Sequence, residues 1–78
     1  MTLDELLEEA CKKAEEKEAS PELFELKHLF DKKVWKALPR GTRTQLGIMF
    51  STKVRMGQVP GIRYACEEIT HHNLYIKQ

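Results

Sequence analysis

Hydrophobic residues recur every three or four positions near the start of the chain, which is the spacing of one helix face. The members of this stripe are Leu3, Leu6, Leu7, Ala10, Cys11 and Ala14. Thr2 is followed three residues later by Glu5, and this pair is typical of a capping box at a helix start. Ser20 precedes Pro21, and a residue before proline is driven out of the helical conformation. The pattern therefore predicts an amphipathic helix over residues 1–19.

The middle of the chain is mainly helical in pattern. Residues 23–26 suit either a short strand or the start of a helix. From Lys27 to Leu38 the apolar positions return to three- and four-residue steps, with an interruption near Asp31. Within this stretch we expect Phe30 and Trp35 to be core residues.

A second long helix is predicted over residues 39–56. It follows the turn sequence Pro39–Thr42 and ends at Gly57, which suits the left-handed conformation that often terminates a helix. One face of this helix is mainly apolar and comprises Leu46, Met49, Phe50, Lys53 and Val54.

The last third of the chain alternates between apolar and polar residues in two short runs, which is the pattern of β-strands. In the first run, Ile62, Tyr64 and Cys66 share one side, and in the second, Leu74 and Ile76 do. We expect a β-hairpin with a polar tip, whose apolar side packs on the helices because an isolated hairpin is marginally stable.

The order of elements predicts a small α+β fold: an N-terminal amphipathic helix, a helical middle and a C-terminal β-hairpin, arranged as a winged-helix-like single domain. In this interpretation residues 20–78 form the compact domain. Residues 1–19 form an acidic arm or oligomerisation element. At 78 residues the chain suffices for one domain of modest stability.

Charge divides the chain into two unlike halves despite a net charge of +1. Residues 1–30 hold four lysines and nine acidic residues, whereas residues 31–78 hold nine Lys/Arg and three acidic residues. Such an asymmetry suits either mutual attraction of the two halves or a basic surface that faces phosphates.

One face of the predicted helix 39–56 carries short polar or basic side chains and no acid. Its members are Arg40, Thr44, Gly47, Ser51 and Arg55. Arginines at both ends of such a face suit contact with a phosphate backbone. Further phosphate contacts are expected from Arg43, Lys53, Arg63 and Lys77. The leading hypothesis is therefore a small, non-catalytic, regulatory nucleic-acid-binding protein.

A second hypothesis assigns the protein to the class of interaction modules. The N-terminal helix would then pair with its own copy in a homodimer, or with a partner protein, through Leu3, Leu6, Leu7, Ala10 and Ala14. Oligomeric state with and without residues 1–19 would discriminate between the two hypotheses.

Other classes of function find little support in the sequence. Cys66, His71 and His72 could contribute zinc ligands, but adjacent histidines in a strand point in opposite directions, so we expect no metal or cofactor. Cys66 with either histidine lacks an orienting group and an oxyanion hole, so we expect no enzymatic activity and no small-molecule substrate. Acidic residues interrupt the first leucines and no long apolar run exists, so we expect a cytoplasmic protein without membrane contact.

Several stretches of the chain resemble a known family. They are Phe24–Phe30, the run Trp35–Phe50 with the pattern W-x-x-L-P-x-G-x-R-x-x-L-G-x-x-F, and the later Gly57, Pro60-Gly61-Ile62, Asn73, Tyr75 and Lys77. Together they resemble a family of short bacterial and phage proteins catalogued as a domain of unknown function, family 1413, over residues 23–78. The resemblance implies one compact domain in a bacterial or phage protein and carries over no functional residues. It leaves the helix at 1–19 outside the family.

Overall fold

The computed structural model of the protein describes residues 2–67 and 73–78. In chain order its elements are α1 (Leu3–Glu16), β1 (Ser20–Phe24), a 3-10 helix (Leu26–Leu29), α2 (Lys32–Ala37), α3 (Arg40–Arg55), β2 (Ile62–Glu67) and β3 (Asn73–Lys77). The fold is α+β and winged-helix-like, with helices packed against one antiparallel sheet.

The start of α1 confirms the predicted capping box. The hydroxyl oxygen of Thr2 accepts from the backbone N–H of Glu5 at 3.2 Å, and the Glu5 carboxylate accepts from the backbone N–H of Thr2 at 3.4 Å. The helix ends at Glu16, earlier than predicted, because the chain then turns to form β1.

The sheet has three strands in the order β1-β3-β2, so β3 is its centre. The hairpin that we predicted is present as β2 and β3, which pair in antiparallel register. The sequence left residues 23–26 open between strand and helix, and the structure divides them: Phe24 ends β1 and Leu26 begins the 3-10 helix. Pairing with β3 stabilises β1. The sequence of β1 alone does not predict this pairing.

A register shift in β2 corrects the prediction for Cys66. Tyr64 lies opposite Tyr75, whereas Cys66 lies opposite Leu74, so one extra residue is inserted between them. Such a β-bulge reverses the alternation of side chains beyond it. Tyr64 is consequently half-buried, and Cys66 is exposed instead of facing the core.

The side of β3 that packs on the helices also differs from the prediction. Tyr75 is 1% exposed, whereas Leu74 and Ile76 are only half-buried. The Tyr75 ring centroid lies 5.0 Å from that of Phe50 and 5.9 Å from that of Phe24. Aromatic packing on α3 and β1 therefore decides which side of β3 is internal.

The predicted interruption near Asp31 is confirmed and has a clear local cause. The Asp31 carboxylate accepts from the backbone N–H of Lys33 at 2.8 Å, so Asp31 caps α2 and separates it from the 3-10 helix. Trp35 of α2 is half-buried and stacks on the buried Phe30 with ring centroids 5.7 Å apart.

The bounds of α3 agree with the prediction to one residue, and Gly57 has the expected positive φ of 72°.

Helix α1, which we expected outside the compact domain, shares a hydrophobic core with the rest of the chain. Its buried residues are Leu6, Leu7, Ala10 and Ala14. Leu3 packs at the edge of that core. The stripe that we assigned to a homodimer or a partner protein is thus covered by the protein's own α3 and 3-10 helix.

Candidate nucleic-acid interface

The segment from the start of α2 to the penultimate residue of β2 has no acidic residue. Residues 32–66 contain eight Lys/Arg and no Asp or Glu. Within it, α3 carries Arg40, Arg43, Lys53 and Arg55. In the described part of the chain, the salt bridges join Lys13 to Glu9 and Lys27 to Glu25, and neither uses a cation of α2 or α3. Of the four cations on α3, Arg40 and Arg55 are exposed, and Arg43 and Lys53 are half-buried.

A groove of about 810 Å³ runs along one side of α3. All five residues of the predicted polar face line it: Arg40, Thr44, Gly47, Ser51 and Arg55. The groove is also lined by Glu25, Lys27, Trp35, Glu67 and Asn73. The structure thus brings the predicted face together, as one side of a concave surface. Glu25 and Glu67 both have interactions within the protein.

The two arginines of the first turn of α3 differ in their surroundings. Arg40 is exposed at the start of the helix, whereas Arg43 is half-buried. The Nε atom of Arg43 is buried and has no hydrogen-bond partner in the described part of the chain. A buried donor without an acceptor is costly, so an anion that entered the groove would relieve this guanidinium.

Arg55 and the hairpin form a second cationic region at the other end of α3. The Arg55 guanidinium carbon lies 4.5 Å from the ring centroid of Tyr64, which is a cation–π contact. The Tyr64 hydroxyl in turn donates to the side-chain oxygen of Asn73 at 3.2 Å. Arg63 on β2 is exposed, but it directly precedes Tyr64 in the strand and so points to the opposite face of the sheet. Stacking orders the Arg55 guanidinium, and the residue as a whole is exposed.

Three predicted contact residues have other places in the structure. Ser51 is 7% exposed, and its side chain hydrogen-bonds to Tyr75 at the base of the groove. Lys53 is half-buried on the side of α3 that faces α1, close enough to Cys11 to affect its thiol electrostatically. The Nζ atom of Lys77 donates to the carbonyl oxygens of Ala14 and Glu15 at 3.2 and 3.0 Å. The Lys77 ammonium group therefore binds the C-terminal end of α1.

The exposed face of α3 includes residues that we did not select from the sequence. Ile48 is 62% exposed, and Gln45 and Thr52 are exposed beside it. At about 100° per residue, Ile48 lies opposite the buried Phe50 and Leu46 side of the helix. This face is the side of the helix opposite the buried residues Leu46, Phe50 and Val54, and those three residues alone would have identified it. Our predicted apolar face also included Met49 and Lys53. The exposed face that we expected was therefore displaced around the helix toward Ser51.

The residues that could bind a metal ion are histidine, cysteine, aspartate and glutamate. Among the residues that the structure describes, no group of three His, Cys, Asp or Glu could hold a metal ion. His71 and His72 lie outside the described residues.

Burial raises the pKa of the Cys11 thiol, and nearby Lys53 opposes this effect. Over residues 2–67 and 73–78, no helix is long and apolar enough to cross a membrane.

Comparison with known families identifies the chain. The family model described as Domain of unknown function (DUF1413) matches residues 8–77, so the chain belongs to that family. The match begins within α1, so most of this helix lies inside the family domain, contrary to our expectation. Neither a search of curated proteins nor a search of solved structures gave a match.

Proposed function

We propose that this member of the DUF1413 family is a small, non-catalytic regulatory protein that binds double-stranded nucleic acid through the exposed face of α3. The observation that carries the proposal is the acid-free segment of residues 32–66 with its eight Lys/Arg, together with the position of Arg40 and Arg55 at the two ends of that face. A polyanion is the partner that such a surface attracts most strongly.

The dimensions of α3 suit a nucleic-acid groove. An α-helix with its side chains is about 10–12 Å across, and the major groove of B-form DNA is about 12 Å wide. Arg40 and Arg55 are separated by about 22 Å along the helix axis at 1.5 Å per residue. A helix lying in the groove would therefore place these two arginines near phosphates at its two ends.

The hairpin orders one arginine of this face, because the Arg55 guanidinium stacks on the ring of Tyr64. Phosphate contacts from the two ends of α3 would fix the register of the protein on the duplex. Binding would gain mainly from released counterions, so affinity should fall steeply with salt.

Fluorescence anisotropy of a labelled DNA duplex, titrated with protein over a series of salt concentrations, tests this proposal. We expect Arg40→Gln and Arg55→Gln each to weaken binding and to reduce the slope of log affinity against log salt by about 1. Lys12→Gln is the matched control, because Lys12 is an exposed cation of α1 away from the acid-free segment.

Two results would overturn the proposal. One is the absence of binding at low salt to any duplex. The other is an equal loss of affinity in Lys12→Gln and in the two arginine variants, which would indicate attraction by overall charge and not by the face of α3. Circular dichroism of each variant establishes that the fold is retained.

A further inference from the structure

Two threonines on the exposed face of α3 have their hydroxyl groups turned to the backbone. The Thr44 hydroxyl donates to the carbonyl oxygen of Arg40 at 3.0 Å, and the Thr52 hydroxyl donates to that of Ile48 at 2.9 Å. Each hydroxyl has only one hydrogen to donate. Both residues are exposed, so the group that they offer to a partner is chiefly the side-chain methyl.

Ile48 lies between these two threonines, four residues from each. It is 62% exposed, and Leu23, Val34 and Met56 are the other large hydrophobic residues exposed in the described part of the chain. Together Thr44, Ile48 and Thr52 form a line of aliphatic groups on one helix face, which we call the methyl stripe. Exposed Gln45 lies beside it.

An aliphatic stripe bordered by arginines suits a partner that is both anionic and locally apolar. The major groove of DNA has this combination only where thymine is present, because the C5-methyl of thymine is the apolar group on its floor. Glutamine can in addition pair with the N6 and N7 atoms of adenine. An RNA duplex has uracil without this methyl and a major groove too narrow for a helix.

We propose that the methyl stripe contacts thymine methyl groups, so that the protein prefers A·T-containing DNA duplexes over RNA and over G·C duplexes. This inference rests on the proposed function, since it concerns the bases that the same helix face would meet.

Replacing thymine by uracil in DNA tests the inference, because it removes only the C5-methyl. The probes are alternating poly(dA-dT) and alternating poly(dA-dU), compared by competition against one labelled duplex at fixed salt. We expect poly(dA-dU) to bind about fourfold more weakly for each thymine methyl that the stripe buries. Alternating poly(dG-dC) should also bind more weakly than poly(dA-dT).

Variants of the stripe assign the effect to particular groups. Ile48→Ala and Thr44→Ser each remove aliphatic carbon. Each should therefore bring the ratio of the affinity for poly(dA-dT) to that for poly(dA-dU) closer to one. Thr44→Val keeps a methyl and removes the hydroxyl, so it should retain the ratio. Leu23→Ala is the matched control, because Leu23 is an exposed hydrophobic residue on β1 and should not affect the ratio.

The outcomes separate this inference from the proposed function. If wild-type protein binds poly(dA-dT) and poly(dA-dU) equally well, the thymine contact is wrong, while duplex binding through the arginines stands. If the preference exists but persists in Ile48→Ala and Thr44→Ser, the methyl stripe is not its source, and the inference also fails. Absence of binding to every polymer overturns the proposed function itself.

Discussion

The ammonium group of Lys77 donates a hydrogen bond of 3.0 Å to the carbonyl oxygen of Glu15, and so joins the last strand to the end of the first helix. The carbonyls at a helix C-terminus lack partners within the helix and carry partial negative charge. A lysine contributed from β3 donates to the carbonyl oxygen of Glu15 and also to that of Ala14, which in addition accepts from the backbone N–H of Lys17 at 3.2 Å. The contact explains how α1 and the sheet are held together near the chain ends.

Replacing Lys77 with methionine should lower the free energy of unfolding by about 1–2 kcal/mol, because the aliphatic stem is kept while the charged donor is lost. Urea denaturation followed by circular dichroism measures the change. Lys36→Met, at an exposed lysine of α2, is the control and should change stability by less than about 0.5 kcal/mol. Equal effects in the two variants would show that the Lys77 contact is not stabilising.

The surroundings of Gly61 and Gly57 differ, and Gly61 lies against the Lys77 side chain. Both have a positive φ, 78° and 72°, which costs a residue with a side chain about 1–2 kcal/mol. A Cβ atom at Gly61 would lie 3.0 Å from Nζ of Lys77, whereas one at Gly57 would meet open space. We therefore expect Gly61→Ala to destabilise the protein more than Gly57→Ala.

A double-mutant cycle identifies the source of that difference. In a Lys77→Ala background the obstructing ammonium group is gone, so the two glycine substitutions should have similar effects on the free energy of unfolding. If the excess cost of Gly61→Ala persists without Lys77, its cause is the backbone conformation and not the displaced lysine.

Tyr75 should make stability depend on alkaline pH. Burial raises the pKa of its hydroxyl, and hydrogen bonds with Ser51 and Asn73 partly oppose this effect. Between the ordinary tyrosine pKa of about 10 and the raised value, the unfolded chain loses a proton that the folded chain keeps. The contribution of Tyr75 is therefore fully present below about pH 10 and is lost as pH rises through the folded pKa.

Urea denaturation between about pH 9 and pH 11 tests this dependence. We expect the decline in unfolding free energy to be smaller in Tyr75→Phe than in wild type. Tyr64→Phe, which keeps the Tyr75 hydroxyl, should retain the wild-type decline. Parallel curves for wild type and Tyr75→Phe would contradict the prediction and assign the alkaline loss to other groups, such as lysines.

The two cysteines should react at different rates. Cys66 is exposed on β2, whereas Cys11 is half-buried in α1 and burial raises its pKa, which lowers the fraction of reactive thiolate. Alkylation with iodoacetamide near neutral pH, followed by mass spectrometry, should give one fast and one slow modification. Cys66→Ser should abolish the fast modification and Cys11→Ser the slow one. A single rate for both thiols would contradict the assignment.

The local elements were largely predictable because their signals lie within a few residues of one another. Thr2 and Glu5 identify the start of α1, and Gly57 identifies the end of α3. The existence of β1 was not predictable to the same degree, because its stability depends on pairing with β3, about 50 residues later in the chain. Its own sequence, SPELF, has only one residue that is fully buried.

The candidate interface was predictable in location and less so in detail. Arg40, Thr44 and Arg55 were selected from the sequence and line one groove of the structure. Ser51 was expected to be exposed, but Tyr75 draws its side chain into the interior. Ile48 was not selected, because we included Met49 and Lys53 in the apolar face and so expected the exposed face on another side of the helix.

The sequence by itself determined the α+β composition, the positions of the long helices, the hairpin and the concentration of positive charge after residue 31. These depend on periodicity, caps and composition, which are properties of neighbouring residues. Only the tertiary structure decided that α1 is part of the core, that Cys66 points outward, and that Lys77 caps a helix while Ile48 stays exposed. These depend on contacts between distant segments, where a single inserted residue in β2 or one buried ring in β3 changes which side chains reach solvent.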